Sequence, residues 1–273
     1  MSAPAVSAPA VSAPRPSVVC LDVDGTLTDG VRGPALPGAA EALRALRDAG
    51  VPVRLVTNTT SVPFADLARY LAGLGLLDSS DSLFTPYVVA RRVLSERGHD
   101  AGVLISDPGQ REELSWFRED PAGPAVLLAT EAHAWTVGAL QPAFRRLLEG
   151  GAFYTMTRNR FFRRGGTMVT DVGAVAALLS YASGREPETL GKPSRAMFEA
   201  VARHAGAALE TMAMVGDDAE FDVSAAVALG MRGVLLRTGK YRAGDEARVS
   251  PSPTAVLDSI RDVPGWVLGA ASC

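Results

Sequence analysis

Val18-Val19-Cys20-Leu21-Asp22-Val23-Asp24-Gly25-Thr26-Leu27 is the stretch on which the fold turns. Its four leading apolar residues, two of them β-branched, predict a short strand buried on both faces. The strand delivers Asp22 and Asp24 to its C-terminal end, and Gly25 lets the backbone turn sharply there. Open α/β sheets gather ligands at the carboxyl ends of their strands. Two carboxylates at one such end repel each other unless a cation or a proton comes between them. A strand closing in a plain aspartate-rich turn would look the same over these ten residues, so the rest of the chain decides.

Downstream, Ala42, Leu43, Leu46 and Ala49 fall at helical spacing and Gly50 stops that helix. Val51–Thr57 predicts the next strand, ending in Thr57-Asn58-Thr59-Thr60-Ser61. A helix follows, with Ser61 as its expected N-cap, Pro63 in its first turn and Phe64, Leu67 and Leu71 as its apolar stripe. Strand, helix, strand, helix implies parallel strands joined by right-handed crossovers. From about Thr85 a second alternating run begins. It reads as helix to Gly98, strands at Gly102–Ser106 and Ala125–Ala129, helix Trp135–Leu148, strand Ala152–Thr157 and helix Val172–Tyr181. After Gly191-Lys192-Pro193-Ser194 come a helix through Ala205, strands at Met212–Val215 and Gly233–Arg237, and a last, weaker helix beyond Pro253. The expected fold is a doubly wound, mostly parallel α/β sheet.

Composition narrows the function classes. With 273 residues, 47% of them hydrophobic, the chain can bury one large core or two moderate ones. A net charge of −3 argues against a general nucleic-acid or anionic-membrane binder. No apolar run reaches the roughly 18 residues of a spanning helix, so no membrane partner is expected. The two cysteines, Cys20 and Cys273, form no disulfide framework and fit a reducing cytoplasm. Residues 1–16 repeat Ser-Ala-Pro-Ala-Val and predict a disordered tail. His99, His133 and His204 lie at no metal-ligand spacing, and Trp116, Trp135 and Trp266 read as core or interface anchors.

Four polar clusters follow expected strands or open expected helices, and together they suit phosphoryl transfer. Asp22 is the candidate nucleophile, since a carboxylate can attack phosphorus. Asp217 and Asp222 lie five apart after the Met212–Val215 strand, with Asp218 between. Carboxylates from separate strands suit a hard cation such as Mg²⁺. Thr57 offers a hydroxyl, and Asn58 an amide and a backbone N–H, for phosphate oxygens. Lys192 supplies a point positive charge. Asp24 remains as general acid and base, its pKa raised by its neighbours. Singly, Thr57-Asn58 could be a cap, Lys192 a surface lysine and Asp217-Asp218 an N-cap pair.

With these residues in place the chain resembles the haloacid-dehalogenase-like phosphohydrolases over about residues 17–265. Asp22-Val23-Asp24-Gly25-Thr26, Thr57, Lys192, and Gly216-Asp217-Asp218 with Asp222 match their four motifs. The resemblance implies Asp22 as nucleophile, Asp24 as acid/base, Lys192 as charge neutraliser and Thr57, Asn58 and Thr59 as substrate-binding residues. It further implies Mg²⁺ held by Asp22, the backbone carbonyl of Asp24 and Asp217, with Asp222 bracing a metal-bound water.

Spacing separates the subgroups. Only 32 residues separate Asp24 from Thr57, but 134 separate Thr57 from Lys192. A second domain of roughly 100 residues belongs in the longer gap. The expected division is a core of 17–84 and 188–273 with an α/β cap at 85–187. This is similar to the NagD-like subgroup with its C2-type cap, which also implies a homodimer through the cap. Val56–Thr60 and Gly239-Lys240-Tyr241-Arg242 look most like the branch named for phospholysine, phosphohistidine and inorganic pyrophosphate phosphatase. Where such caps often carry Thr-Asn-x-Asp, this chain has Thr157-Arg158-Asn159-Arg160. Arg158, Asn159 and Arg160, with Arg163 and Arg164 close behind, either form a solvated basic turn or present donors to an anionic leaving group.

The expected function is therefore Mg²⁺-dependent hydrolysis of a small phosphorylated metabolite, a phosphomonoester, phosphoramidate or pyrophosphate. A dehalogenase has no use for Asp24 and Asp217, and a mutase cap has no room between Asp24 and Thr57. The alternative of another class is a non-catalytic phosphate-binding or phospho-acceptor module. Asp24 disfavours it, because an acid/base group beside the acceptor promotes hydrolysis.

Overall fold

The computed structural model describes residues 14–78, 82–129, 136–164 and 167–269. The tail before residue 14, His133, Trp135, Cys273 and the side chains of Arg163 and Arg164 lie outside the described residues. The first elements are β1 (Val18–Leu21), α1 (Ala39–Asp48), β2 (Val53–Val56), α2 (Phe64–Gly73) and β3 (Ser82–Phe84). Next come α3 (Pro86–Glu96), β4 (Ala101–Ile105), β5 (Arg118–Glu119), β6 (Ala125–Leu128), α4 (Gln141–Leu148) and β7 (Ala152–Thr155). Strands β8 (Phe161–Arg164) and β9 (Thr167–Thr170), helix α5 (Val172–Ser183) and β10 (Glu188–Thr189) follow. The chain continues through α6 (Arg195–Ala205), β11 (Met212–Gly216), a π-helical turn (Ala219–Ser224), α7 (Ala225–Ala228) and β12 (Arg232–Leu236). It ends in α8 (Asp245–Arg248), β13 (Ala255–Leu257) and α9 (Val263–Leu268).

Two parallel sheets result. The six-stranded sheet runs β13-β12-β11-β1-β2-β3, and the five-stranded sheet runs β10-β7-β6-β4-β5. β8 and β9 pair with each other, antiparallel. Chain order leaves β1 toward β2 and β3 on one side and returns through β11, β12 and β13 on the other. The sheet is therefore doubly wound, with its topological switch point between β1 and β11, where such folds hold ligands.

Strand β1 alternates between two cores. Val18 and Cys20 join one buried cluster, and Val19 and Leu21 the other. That period of two, with both faces covered, accounts for its unbroken apolar run. The first cluster also takes Tyr87 and Leu94 of α3, Phe198 of α6, and Leu127 and Tyr154 of the second sheet. The two sheets thus share one apolar junction. Each large side chain buried there contributes about 1.5–3 kcal/mol. A third cluster packs Val126, Leu128 and Phe153 against Leu147 of α4 and Leu179 of α5. Burial pushes the Cys20 thiol up to about 12 despite Arg54 and Lys192, so it stays an inert apolar filler. Among the described residues no helix is long and apolar enough to cross a membrane.

Several expectations need correction. Helix α2 starts at Phe64 with Pro63 at its N-cap rather than Ser61, and the Phe64 N–H donates to Glu113 Oε1 at 2.8 Å. A carboxylate from a remote segment has replaced the local hydroxyl. The chain beyond Pro253 forms strand β13 before its short last helix, since an edge of the sheet is open to it. The helix expected from Trp135 begins as a 3₁₀ turn at Val137–Leu140, capped by Thr136, with α4 starting at Gln141. Arg163 and Arg164 sit in strand β8, in register with Met168 and Thr167, rather than in a turn. Glu188 and Thr189, expected to open the returning core segment, pair with Tyr154 and Thr155 of the second sheet.

Candidate active site

Strand ends place the acids. The Asp22 N–H donates to the carbonyl of Val215, so Asp22 leaves β1 alongside the end of β11. Asp217 follows β11 directly, and the π-helical turn then brings round Asp222. In that turn the Val223 N–H reaches back to the Asp218 carbonyl at 3.3 Å, an i to i+5 bond. Asp22, Asp217 and Asp222 are all buried, and one oxygen from each lies within 4.8 Å of the others. Asp218 takes the duller part: its Oδ1 accepts from the N–H groups of Glu220 and Phe221 and caps the turn.

Lys192 arrives on the turn between β10 and α6 and is only 3% exposed. Its ammonium is bonded to Asp22 Oδ1 and stands 2.7 Å from Asp222 Oδ1. Burial pulls its pKa down, but Asp22 and Asp222 outweigh that, and the net direction is up. Lys192 therefore stays protonated. Asn58 fixes the turn: its Nδ2 donates to the Lys192 carbonyl at 2.8 Å, and its Oδ1 accepts the Lys192 N–H at 2.7 Å. That commits the Asn58 amide to holding Lys192, and a substrate could meet only its backbone N–H. Thr57 Oγ1 donates to Thr59 Oγ1 at 3.0 Å, and Thr59 Oγ1 donates to Asp24 Oδ2 at 2.6 Å. The Asp24 carboxylate lies outside the acidic triad. Burial first, and the Asp22 charge second, hold its carboxyl above the usual range.

Three carboxylates opposite one ammonium leave an excess of buried negative charge. Burial, then Asp22 and Asp222, push Asp217 up to about 8. Burial pushes Asp222 up to about 7, with Lys192 pulling against it and Asp22 adding to it. Asp217 Oδ1 is buried with no hydrogen-bond partner among the described residues. A buried carboxylate oxygen without a donor is costly unless a cation meets it. All-oxygen donors around such an orphan fit Mg²⁺.

Sequence reasoning missed the loop that seats Asp217. The Lys240 N–H donates to Asp217 Oδ2 at 2.6 Å, Lys240 Nζ stands 3.2 Å from Asp218 Oδ2, and Thr238 Oγ1 donates to the Gly25 carbonyl at 2.6 Å. Gly25 and Gly239, both at positive φ, wall in the carboxylate: a Cβ on either would lie 2.2 or 2.0 Å from Asp217 Oδ2. The signal was Gly239-Lys240-Tyr241-Arg242, which marked a likeness to one branch of the family but no contact with Asp217. Of the expected substrate residues after β7, Arg158 pairs with Glu186 at 3.2 Å, and the Asn159 and Arg160 carbonyls accept from Gly173 and Asp171 at the start of α5. Arg158 and Arg160 line a cleft of about 850 Å³ together with Ser194 and Phe221 from beside the acids.

Buried aspartates and one lysine at the switch point of a doubly wound sheet define an α/β enzyme whose chemistry runs on carboxylates. A haloacid dehalogenase-like hydrolase profile matches residues 19–116, and a second HAD-hydrolase-like profile matches 189–263. The chain is 34% identical over 241 residues to haloacid dehalogenase-like hydrolase domain-containing protein 2 of Mus musculus, covering 88% of this chain and 92% of that one. It is 31% identical over 255 residues to the phospholysine phosphohistidine inorganic pyrophosphate phosphatase of Bos taurus, covering 92% and 93%. In fold it is similar to NagD from E. coli K-12 (TM-score 0.79, 24% identity, 91% and 98% covered). It is likewise similar to a 4-nitrophenylphosphatase from Thermotoga maritima (TM-score 0.80, 23% identity, 91% and 96% covered). The chain belongs to the haloacid dehalogenase-like hydrolases.

Proposed function

We propose that the protein is a Mg²⁺-dependent phosphatase that hydrolyses a small phosphorylated metabolite (a phosphomonoester, phosphoramidate or pyrophosphate) through an aspartyl-phosphate on Asp22. The observation that carries this reading is Asp22 gripped by Lys192, with Asp217 and Asp222 within 4.8 Å and the protonation-prone Asp24 alongside. The phosphatase named among the relatives supports it.

An Asp22 oxygen attacks phosphorus, and the bond from phosphorus to the leaving oxygen or nitrogen breaks. Asp24, its carboxyl held above the usual range by burial and by Asp22, gives a proton to the departing atom. As a carboxylate it then takes a proton from water, whose oxygen attacks the same phosphorus and frees Asp22 and inorganic phosphate. Thr59 holds the Asp24 carboxyl in place for both transfers. Lys192 opposes the negative charge on Asp22 and on the transferring group. Asp22, Asp217 and Asp222 would hold Mg²⁺, which would supply further charge neutralisation of the phosphoryl oxygens. The five-stranded sheet and its hairpin serve as the cap, reaching residue 189 because β10 belongs to that sheet.

Phosphate release over many turnovers, lost in Asp22→Asn, tests the reading. A single stoichiometric phosphorylation without turnover would instead favour the phospho-acceptor module. The protein also acts as a homodimer through the cap. Ala174, Ala177, Leu178, Tyr181 and Ala182 form an exposed face of α5 without one charged residue, and Tyr181 is 95% exposed. An all-apolar helix face of that kind calls for a partner.

A further inference from the structure

The chain uses arginine almost wherever it needs a cation. Of its 27 lysines and arginines only two are lysines, Lys192 and Lys240, and both stand at the acidic site. Lys192 is buried and bonded to Asp22 and Asp222. Lys240 differs, because its backbone is held and its ammonium is not. Thr238 Oγ1 donates to the Gly25 carbonyl at 2.6 Å, the Lys240 N–H to Asp217 Oδ2 at 2.6 Å, and the Tyr241 N–H to the Thr238 carbonyl at 3.0 Å. From that anchored turn the Lys240 side chain reaches out 66% exposed, and its ammonium meets Asp218 Oδ2 at 3.2 Å. So exposed a pair is weak. Arginine, a planar fork that takes both carboxylate oxygens, would make it better. A compact ammonium on a flexible four-carbon stem suits a cation that changes partners. The acids within its field are those of the reaction. Against the upward push of burial, the Lys240 charge pulls Asp24, Asp217 and Asp222 down, so it acts across the site and not on Asp218 alone.

We infer that Lys240 is a second cation for the phosphoryl group, its ammonium leaving Asp218 Oδ2 for an oxygen of the phosphate brought to Asp22. The inference rests on the phosphatase reading and adds a substrate-binding residue to that site. Lys192 approaches Asp22 from the turn after β10, and Lys240 comes from the turn after β12, which lies against Gly25 and Asp217. A phosphate at Asp22 then meets an ammonium from each turn. Asp218 keeps its Oδ1 bonds to the Glu220 and Phe221 N–H groups whether or not Lys240 stays, so the exchange leaves the π-helical turn intact. Substrate and released phosphate offer the ammonium the same oxygens. Its effect therefore falls on KM and on inhibition by phosphate rather than on kcat. An exposed ammonium is worth about fivefold in such a contact, in the range of solvent-accessible ion pairs. The effect fades as salt rises.

Lys240→Met tests it, since it keeps the backbone N–H on Asp217 and removes only the ammonium. With 4-nitrophenyl phosphate and saturating Mg²⁺, KM should rise about fivefold, and the Ki of inorganic phosphate by the same factor, while kcat changes far less. Mg²⁺ affinity by calorimetry should not weaken, because Asp217 keeps its donor. Asp218→Asn still caps the turn but releases the ammonium, so it should lower KM and Ki by about twofold. In the Lys240→Met background the same change should move neither. Turnover of the ester by the wild-type enzyme reports the phosphatase reading separately. Turnover with KM and Ki unchanged in Lys240→Met overturns the inference alone. A joint fall in kcat and Mg²⁺ affinity also overturns it, because a residue that only seats Asp217 would lose both. So does an Asp218→Asn effect of equal size with and without Lys240, which would not run through the ammonium.

Discussion

Gly239→Ala is the sharpest test of how the acidic site is built. A Cβ at this position would stand 2.0 Å from Asp217 Oδ2 and 2.6 Å from the Gly25 Cα. Ordinary contact begins near 3.4 Å, so the carboxylate would have to retreat by roughly 1.4 Å. It has nowhere to go without losing the Lys240 N–H at 2.6 Å, and the Gly25 backbone closes the opposite side. A shift of about 1 Å at a reacting or ligating group costs on the order of a hundredfold in rate. Disturbing the support of a metal ligand costs about ten- to hundredfold in affinity. The expected result is a Mg²⁺ affinity weakened by about that factor in calorimetric titration, with a matching drop in kcat/KM. The backbone itself adds about 1–2 kcal/mol, because alanine resists the positive φ of 52°. Gly206→Ala controls for that term, since Gly206 has φ 63° and open space where the Cβ would go. It should lose similar stability and keep its Mg²⁺ affinity. Should Gly239→Ala bind Mg²⁺ as tightly as the wild type, the seating of Asp217 argued above is wrong.

Three further outcomes follow from the same geometry. Asp217 and Asp222 hold protons in the folded chain up to about pH 8 and 7, while the unfolded chain loses them near pH 4. The folded state binds more protons across that window, so the melting temperature in chelator should fall as pH rises from 5 to about 8. Added Mg²⁺ should reverse the fall at the alkaline end, and a chelated protein that gains stability with pH would contradict the assignment. Glu113→Ala removes the cap from the Phe64 N–H and should cost about 1 kcal/mol in urea unfolding, with Glu113→Gln retaining most of it; equal losses would place the effect elsewhere. Tyr181→Glu puts a charge on the apolar face of α5 and should turn a dimer into a monomer by light scattering, whereas a dimer that survives it does not use this face.

What was legible in the sequence follows from what is local. Strands β1 and β11 are runs of four or five residues buried on both faces, and their acids come directly after them. Such a pattern needs no knowledge of neighbours. Helices α1, α3 and α5 announce themselves by spacing and by flanking glycine or proline. The two- and three-residue strands β3, β5, β10 and β13 are shorter than any periodicity can register, and pairing across the sheet alone makes them strands. The cap of α2 by Glu113 and the seating of Asp217 by Lys240 join residues 49 and 23 positions apart, and no local rule reaches them. Asn58 was legible as a polar residue at a strand end, but its side chain serves Lys192, 134 residues away.

The proposed catalysis rests on covalent chemistry at one carboxylate, Asp22. Asp24→Asn removes the base that would clear the intermediate, so rapid acid quench of that variant with Mg²⁺ and 4-nitrophenyl phosphate, whose leaving group departs without a proton, should trap the phosphoryl group. Peptide mapping by mass spectrometry should find it on the β1 peptide at Asp22, and Asp22→Asn should abolish it. Phosphate released with no phosphorylated peptide, or a phosphoryl group mapped to Asp217 or Asp222 instead, would contradict the mechanism.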